Sequence, residues 1–303
     1  MMRLLLTFLA LAAVALRAAP TGDYVERYDT LYNSLTIEKN GTVVEMRARS
    51  RRGEALESAV DLADPLRLVV PYTRTLYGAL FFQPEPRRVL MIGLGGAGFH
   101  RLFHAAYLQA IVQSVELDPK VVELCRTHLA FAPDERQPIA TMDGRMFVKR
   151  NRESWDWIIL DAFRGGFVPP HLKTEEFYRE CAARLAEGGV FVSNLHANSE
   201  LFHSDIKTIQ AVFPQVVLLQ THARGNVIVF AVKYRKPVIT DPAKWPDPAK
   251  LMRPEFAGRL ELAALREEYV PIPQAVRSAR VLTDDFAPVE FLDAMKTNNT
   301  SER

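Results

Sequence analysis

Residues 88–92, Arg-Val-Leu-Met-Ile, form an apolar run of β character and lead directly into Gly93-Leu94-Gly95-Gly96-Ala97-Gly98. A strand that ends in glycines at G-x-G-x-x-G spacing narrows the fold more than any other feature of the chain. Gly93 and Gly95 permit a tight turn and close backbone approach to a ligand, Gly96 adds no side chain to the loop, and Gly98 lets the next helix start against the strand. Such loops also join strands to helices in proteins that bind no nucleotide. The following segment adds weight, because the apolar run at 111–115 ends in Glu116-Leu117-Asp118-Pro119. That places a carboxylate about twenty residues past the loop, in reach of both hydroxyls of a ribose. An adenosine is implied, carried either by a nicotinamide dinucleotide or by a sulfonium mononucleoside.

Two further acids separate these. Asp143-Gly144 follows an extended segment at 137–141, and Asp161 follows residues 155–160. This series of acids at strand ends resembles the S-adenosylmethionine-binding methyltransferase fold. The resemblance puts Glu116 on the ribose, Asp143 with Gly144 beside adenine, and Asp161 facing the sulfonium. A nicotinamide enzyme would need only the early members of the series, which favours the sulfonium ligand.

The rest of the chain fits that frame. Strands at 88–92, 111–117, 139–141, 155–161 and 190–194 alternate with helices at 98–110, 119–129, 144–149, 174–185 and 199–212, and Gly188-Gly189 stops the fourth helix. Strands at 216–220 and 226–232 add an antiparallel pair at one edge. The expected fold is therefore α/β, a doubly wound, mostly parallel seven-stranded sheet of Rossmann-like, class I methyltransferase type. Ahead of it, runs at 32–38 and 42–47 flank Lys39-Asn40-Gly41, a hairpin signal, with an exposed basic turn at 47–54 and a helix opening at Pro71 that should cross the first sheet strand. The domain division is a signal-like or anchor segment at 1–19, a β unit with a helix at 20–83, the nucleotide domain at 84–235, and a Pro-rich surface wrap with a polar tail at 236–303.

Within 303 residues, 48% apolar and 24% charged content is ordinary for a soluble globular protein, and a net charge of +2 with scattered Lys and Arg supports no nucleic-acid partner. Cys125 and Cys181 lack metal-ligand or redox spacing and read as small buried hydrophobes; no metal is called for. Met1-Met2-Arg3 precedes an apolar stretch at 4–16, too short for a spanning helix, which wants roughly twenty residues. Residues 1–19 are the only stretch through which a membrane contact is expected. They point to export into a periplasm or to anchoring, whereas a cytosolic supply of S-adenosylmethionine points to the cytoplasm. Asn298-Asn299-Thr300 matches a glycosylation pattern in the tail.

With the hairpin, the helix, the glycine loop, Glu116 and Asp161-Ala162-Phe163 in place, residues 24–232 resemble the spermidine synthase (polyamine aminopropyltransferase) family. The bacterial spermidine synthase-like subgroup is the nearest, through Pro170-His-Leu-Lys-Thr-Glu-Glu-Phe-Tyr178, Gly188-Gly-Val-Phe-Val-Ser-Asn194 and Thr283-Asp-Asp-Phe-Ala-Pro288. The resemblance implies an aminopropyl transfer from decarboxylated S-adenosylmethionine to an amine, a small-molecule acceptor, with Asp161 as catalytic base; a homodimer is compatible with it. Two positions depart from the family pattern: Gly96 stands where the family has a loop Asp for the aminopropyl ammonium, and Arg164 where it has the second Asp of D-x-x-D. If both line the pocket, intact S-adenosylmethionine should be preferred. Three functions are therefore carried forward: an aminopropyltransferase-like enzyme with an altered acceptor site, an S-adenosylmethionine-dependent methyltransferase, and an exported binding protein without catalysis. Several neighbours have plainer expectations: a helix cap for Asp118, loop orientation for His171, a cap for Asp284 or Asp285, core or rim for Tyr72 and Tyr178, and solvent for Arg164.

Overall fold

The computed structural model describes residues 22–50, 53–163, 167–221, 225–233, 240–247 and 250–287. The signal-like segment, Arg164 and the sequon lie outside these residues.

Four antiparallel strands open the described chain, β1 (Tyr24–Asp29), β2 (Ser34–Asn40), β3 (Val43–Ser50) and β4 (Gly53–Asp61), in the order β1-β2-β3-β4. The expected hairpin is β2–β3. Its loop is Gly41-Thr42, with Gly41 at the positive φ of 57° that an L side chain disfavours. The unit is twice the expected size because neither outer strand carries an apolar alternation. β1 alternates half-buried with exposed residues, and β4 is interrupted by a bulge: Met46 pairs with Ser58 but Arg47 pairs with Leu56, so Glu57 is an extra residue. Residues 47–50 of the basic stretch expected as a turn instead extend β3, with acids beside their guanidinium groups; Arg49 meets Asp29 of β1 at 2.7 Å, and Arg47 bonds Glu45 two residues before it on the same strand and lies 4.0 Å from Glu38 of β2.

The second sheet has eight strands: β5 (Arg88–Ile92), β6 (Ile111–Glu116), β7 (Ile139–Thr141), β8 (Trp155–Leu160), β9 (Leu185–His196), β10 (Gln215–Gln220), β11 (Asn226–Val232) and the two-residue β12 (Tyr269–Val270). Their order is β12-β10-β11-β9-β8-β5-β6-β7; β9 through β7 are mutually parallel, and the remaining pairings are antiparallel. The seven strands read from the sequence are all present, and β12 displaces β10 from the edge. Successive residues of β5 enter opposite cores, Val89 and Met91 on one face and Leu90 and Ile92 on the other, so the sheet is buried on both sides.

Helices α1 (Tyr72–Thr75), α2 (Gly98–Ala106), α3 (Pro119–His128), α4 (Gly144–Arg150), α5 (Glu175–Arg184) and α6 (Phe202–Val212) fill the connections, and α7 (Pro254–Leu260) comes later. α1 continues as a 3₁₀ turn over Leu76–Phe81 that rests on β10 and β11 rather than on β5, and a Cβ on its Gly78 would stand 2.8 Å from both Leu219 and Phe230. Gly188 and Gly189 do not stop α5. The helix ends at Arg184, β9 starts at Leu185, and the two glycines form a bulge where β8 pairing jumps from Leu185 to Val190. Gly189 is required there because a Cβ would lie 3.0–3.1 Å from three carbonyl oxygens.

The four-stranded sheet docks on the nucleotide loop and α3. Leu35, Ile37, Val44, Met46 and Val60 share a core with Leu94 and Cys125. Tyr24 Oη lies 2.7 Å from His128 Nδ1, and Asp118, the α3 cap, also accepts from Thr30 (2.6 Å) and Asn33 (2.9 Å). The segment read as a surface wrap is more than that. Trp245 is 4% exposed and sits on Phe81 (ring centroids 4.9 Å apart), within the core that holds Leu251, Phe256 and Leu265. Trp245→Ala is expected to lower the unfolding free energy by about 3–5 kcal/mol, measured by urea titration; a loss below about 1 kcal/mol would show that the late segment folds apart from the main core.

Candidate active site

Strands β5, β6 and β7 progress in one direction and β8 returns on the other side of β5, so the sheet order reverses between β5 and β8. Ligand clefts of open α/β sheets lie outside the carboxyl ends at such a point. Here those ends touch. Gly93 takes φ 97°, and a Cβ on it would fall 2.2 Å from the Asp161 carbonyl oxygen; Asp161 N donates to Ile92 O at 2.9 Å and Gly93 N to Val115 O at 2.8 Å. Arg101 of α2 clamps the back of the loop, its guanidinium donating to the carbonyls of Gly96 (2.7 Å), Leu129 (2.8 Å) and Pro65 (2.9 Å).

The resulting cleft encloses about 820 Å³ counting its mouth, and Gly93, Gly95, Glu116, Asp143, Gly144 and Asp161 all line it. At one end, Asp143 caps α4 through Met146 N (2.9 Å) and accepts from His171 Nε2 at 2.7 Å. The imidazole hydrogen bond holds its carboxyl below the usual range. Gly144 must lack a side chain, because a Cβ would meet Ile92 at 2.4 Å. In the middle, Glu116 accepts Leu94 N (3.0 Å) on one oxygen and Asp118 N (2.9 Å) on the other. Burial pushes its carboxyl up while these amides oppose the shift, and each oxygen keeps a lone pair for a ligand hydroxyl.

Asp161 occupies the far end. Tyr72 Oη donates to its Oδ2 at 2.9 Å and Asn194 Nδ2 to its Oδ1 at 3.0 Å, with Asn226 Nδ2 donating to Asn194 Oδ1 at 2.8 Å. Burial raises the Asp161 carboxyl despite those two bonds, and burial beside that carboxylate keeps the Tyr72 phenol protonated, well above its ordinary value. Tyr72, expected to be core or rim, is thus a hydrogen-bond partner of Asp161. Its position about twenty residues ahead of the glycine loop carried no sequence signal.

Gly96 lies elsewhere. A Cβ on it would stand 2.1 Å from Ser58 Oγ and 2.6 Å from Ser58 Cβ, so the position faces β4 rather than the cleft. Gly96 therefore does not set the charge of the cleft as expected, and Arg164 lies outside the described residues. Asp284 has a structural role: both its oxygens take Arg145 (2.7 and 2.8 Å), and one accepts Thr174 Oγ1 at 2.7 Å, the residue that caps α5. Tyr178, Cys125 and Cys181 are core.

Sequence reasoning missed Glu57. It is half-buried, lines the main cleft and also an adjoining chamber of about 320 Å³ walled by Tyr72, Phe163, Asn194 and His196. Its carboxyl is pushed up to about 7, first by burial and then by Asp161 and Glu116. Among the described residues no group of acids, histidines or cysteines is arranged to hold a metal ion. Glu57 carried no sequence signal, because β4 also holds Glu54, Ser58 and Asp61 and has no apolar alternation for an acid to interrupt.

A spermine/spermidine synthase domain matches residues 71–240, more than half of the chain. The chain belongs to that family. It is 27% identical over 281 residues to the polyamine aminopropyltransferase of Vibrio vulnificus, covering 88% of this chain and 91% of that protein. It is 34% identical over 183 residues to the Chromobacterium violaceum polyamine aminopropyltransferase, covering 59% and 70%. A probable spermidine synthase from Corynebacterium glutamicum superposes with a TM-score of 0.67 at 22% identity, over 88% of this chain and 98% of that one. Human methyltransferase-like protein 13, solved with SAH, gives 0.52 at 22% identity over 73% and 99%. The fold is therefore the methyltransferase-like one with a four-stranded antiparallel sheet ahead of it, and the chain is a transferase of the aminopropyltransferase family.

The fold raises the Glu57 carboxyl from its ordinary value of 4.5 to about 7. The folded aminopropyltransferase-family chain thus binds a proton that the unfolded chain releases between about pH 4.5 and 7, so this contribution to stability is complete below that window and lost as pH rises through it. Glu57→Gln should stabilise the ligand-free protein at pH 8 by up to about 3 kcal/mol, and the gain should shrink toward pH 5. Urea melts at both values test this, and a difference that does not change with pH would refute it.

Proposed function

We propose that this protein transfers an aminopropyl group from decarboxylated S-adenosylmethionine to a small amine, with Asp161 as the base. The observation that carries the proposal is the Asp161 carboxylate itself, buried at the switch point, held by Tyr72 and Asn194, and raised toward the range in which it can accept a proton.

The residues suit the donor. Glu116 would accept both ribose hydroxyls with its free lone pairs, its orientation fixed by two backbone amides. Asp143 and the backbone at Gly144 would take the polar edge of adenine, with His171 setting the carboxylate's position. Gly93 and Gly95, at φ 97° and 52°, bring bare backbone alongside the chain between ribose and sulfur. The acceptor's ammonium, with an ordinary pKa of roughly 10, must lose a proton to become a nucleophile. Asp161 takes that proton. The amine lone pair then forms a bond to the carbon next to sulfur, the C–S bonding pair returns to sulfur, and methylthioadenosine leaves as a neutral thioether while the product carries a secondary ammonium. Tyr72 and Asn194 are positioning residues, since each occupies one carboxylate oxygen and together they aim the remaining lone pairs into the cleft.

Asp161→Asn should reduce kcat by about 10²–10⁴-fold with methylthioadenosine affinity retained, measured by product formation from decarboxylated S-adenosylmethionine and a panel of diamines. Turnover near wild type in that variant would refute the role of Asp161, and methyl transfer from the intact cofactor to the same amines would favour the methyltransferase alternative. Glu116→Ala should weaken methylthioadenosine binding by about 1.5–3 kcal/mol in a calorimetric titration; unchanged affinity would place the nucleoside elsewhere.

A further inference from the structure

The cleft carries more negative charge than the loop sequence suggested, and the excess comes from the four-stranded sheet. In a regular strand, successive side chains point to opposite faces. The extra residue in β4 breaks that rule: Ser58 packs against Gly96, Leu56 reaches the side chamber, and Glu57 turns into the junction of the two spaces. Bulges re-aim side chains in this way at functional sites.

Glu57 differs from the other acids of the cleft in having no partner. Asp143 has His171 and a helix N-terminus, Glu116 has two amides, and Asp161 has Tyr72 and Asn194. Among the described residues, Glu57 forms no hydrogen bond or ion pair, and no Lys or Arg lines either space. A carboxylate placed in such surroundings is costly unless a cation comes to it. With its nearest charged neighbours Asp161 and Glu116 also acidic, that cation has to arrive with the ligand.

We infer that Glu57 receives the terminal ammonium of the aminopropyl donor, so that β4 supplies the negative charge for which the glycine loop has no room at position 96. The inference rests on the proposed aminopropyl transfer and makes Glu57 the residue that selects the donor. Decarboxylated S-adenosylmethionine ends in an ammonium alone, which Glu57 and Asp161 would both attract. The intact molecule adds a carboxylate at the same end, which both would repel. A loop acid at 96 is sterically excluded by Ser58, and a bulge one residue away on the same strand provides the charge instead.

Calorimetric titration of the wild-type protein, Glu57→Gln and Glu57→Asp with decarboxylated S-adenosylmethionine, intact S-adenosylmethionine and methylthioadenosine tests this. The wild type should bind the decarboxylated form at least about tenfold more tightly than the intact one, and Glu57→Gln should lose about tenfold or more of that affinity, as expected for a lost charge-assisted bond. Methylthioadenosine, which has no ammonium, should bind both proteins alike, and Glu57→Asp should recover part of the difference. Unaltered affinity of Glu57→Gln for the decarboxylated form overturns the inference, as does an equal loss for methylthioadenosine, which would mark Glu57 as merely structural. A raised acceptor KM with donor binding unchanged also overturns it, by moving Glu57 to the acceptor. If these variants behave like wild type while Asp161→Asn still abolishes turnover, only the donor-selecting role of Glu57 fails. If the wild type binds none of the three ligands, the transfer reading fails with it.

Discussion

The contact between the Gly93 α-carbon and the Asp161 carbonyl is the constraint on which the site depends. Two parallel strands end side by side, and at Gly93 any side chain would run into the Asp161 carbonyl oxygen. That contact brings the glycine loop and the Asp161 carboxylate to the same cleft without any intervening packing layer. The surrounding parts then follow from it. Arg101 ties down the loop from behind through carbonyl oxygens, which leaves its charge outside the cleft, and the Tyr72 and Asn194 hydrogen bonds fix the acid from above and from the side.

Electrostatically the cleft is built around an imbalance. Acids from β4, the end of β6 and the end of β8 converge in a largely buried space, where like charges interact more strongly than at a surface. The fold answers this in part with amides and neutral donors, which satisfy Glu116 and Asp161 locally. Among the described residues no hydrogen bond or ion pair meets Glu57, and its carboxyl is raised to about 7 instead. A site of this kind is stabilised by what it binds, so ligand-free and liganded protein should differ in stability by mass action.

The sheet and its loop were legible because their signals are local. Apolar runs of four to seven residues punctuated by glycine, and acids just past them, are enough to place β5 through β11 and the positions of Glu116, Asp143 and Asp161. Features set by tertiary partners were not legible. β1 has no buried stripe, the basic end of β3 has its charge met by Asp29 of β1 and by Glu45 on its own strand, and β12 is two residues long. Trp245 looked like part of a surface wrap because nothing in a Pro-rich stretch announces a core position. Gly188-Gly189 has the composition of a helix stop and serves instead as a close backbone crossing. Gly96 was placed correctly in the loop, but its direction depends on a strand nearly forty residues earlier in the chain, which no loop motif encodes.

The bulge in β4 makes the charge of the cleft a matter of strand length as well as of residue type. Side-chain direction in a strand alternates, so removing one residue from β4 would restore a continuous ladder with β3 and reassign which face each flanking side chain occupies. An acid in this segment could then turn away from the ligand, and a serine or leucine could turn toward it, without any change in the glycine loop or in Asp161. The segment also precedes residue 71, where the matched family domain begins. If Glu57 selects the donor as proposed, an insertion or deletion in an accessory sheet alters that preference while Asp161 and the glycine loop stay as they are.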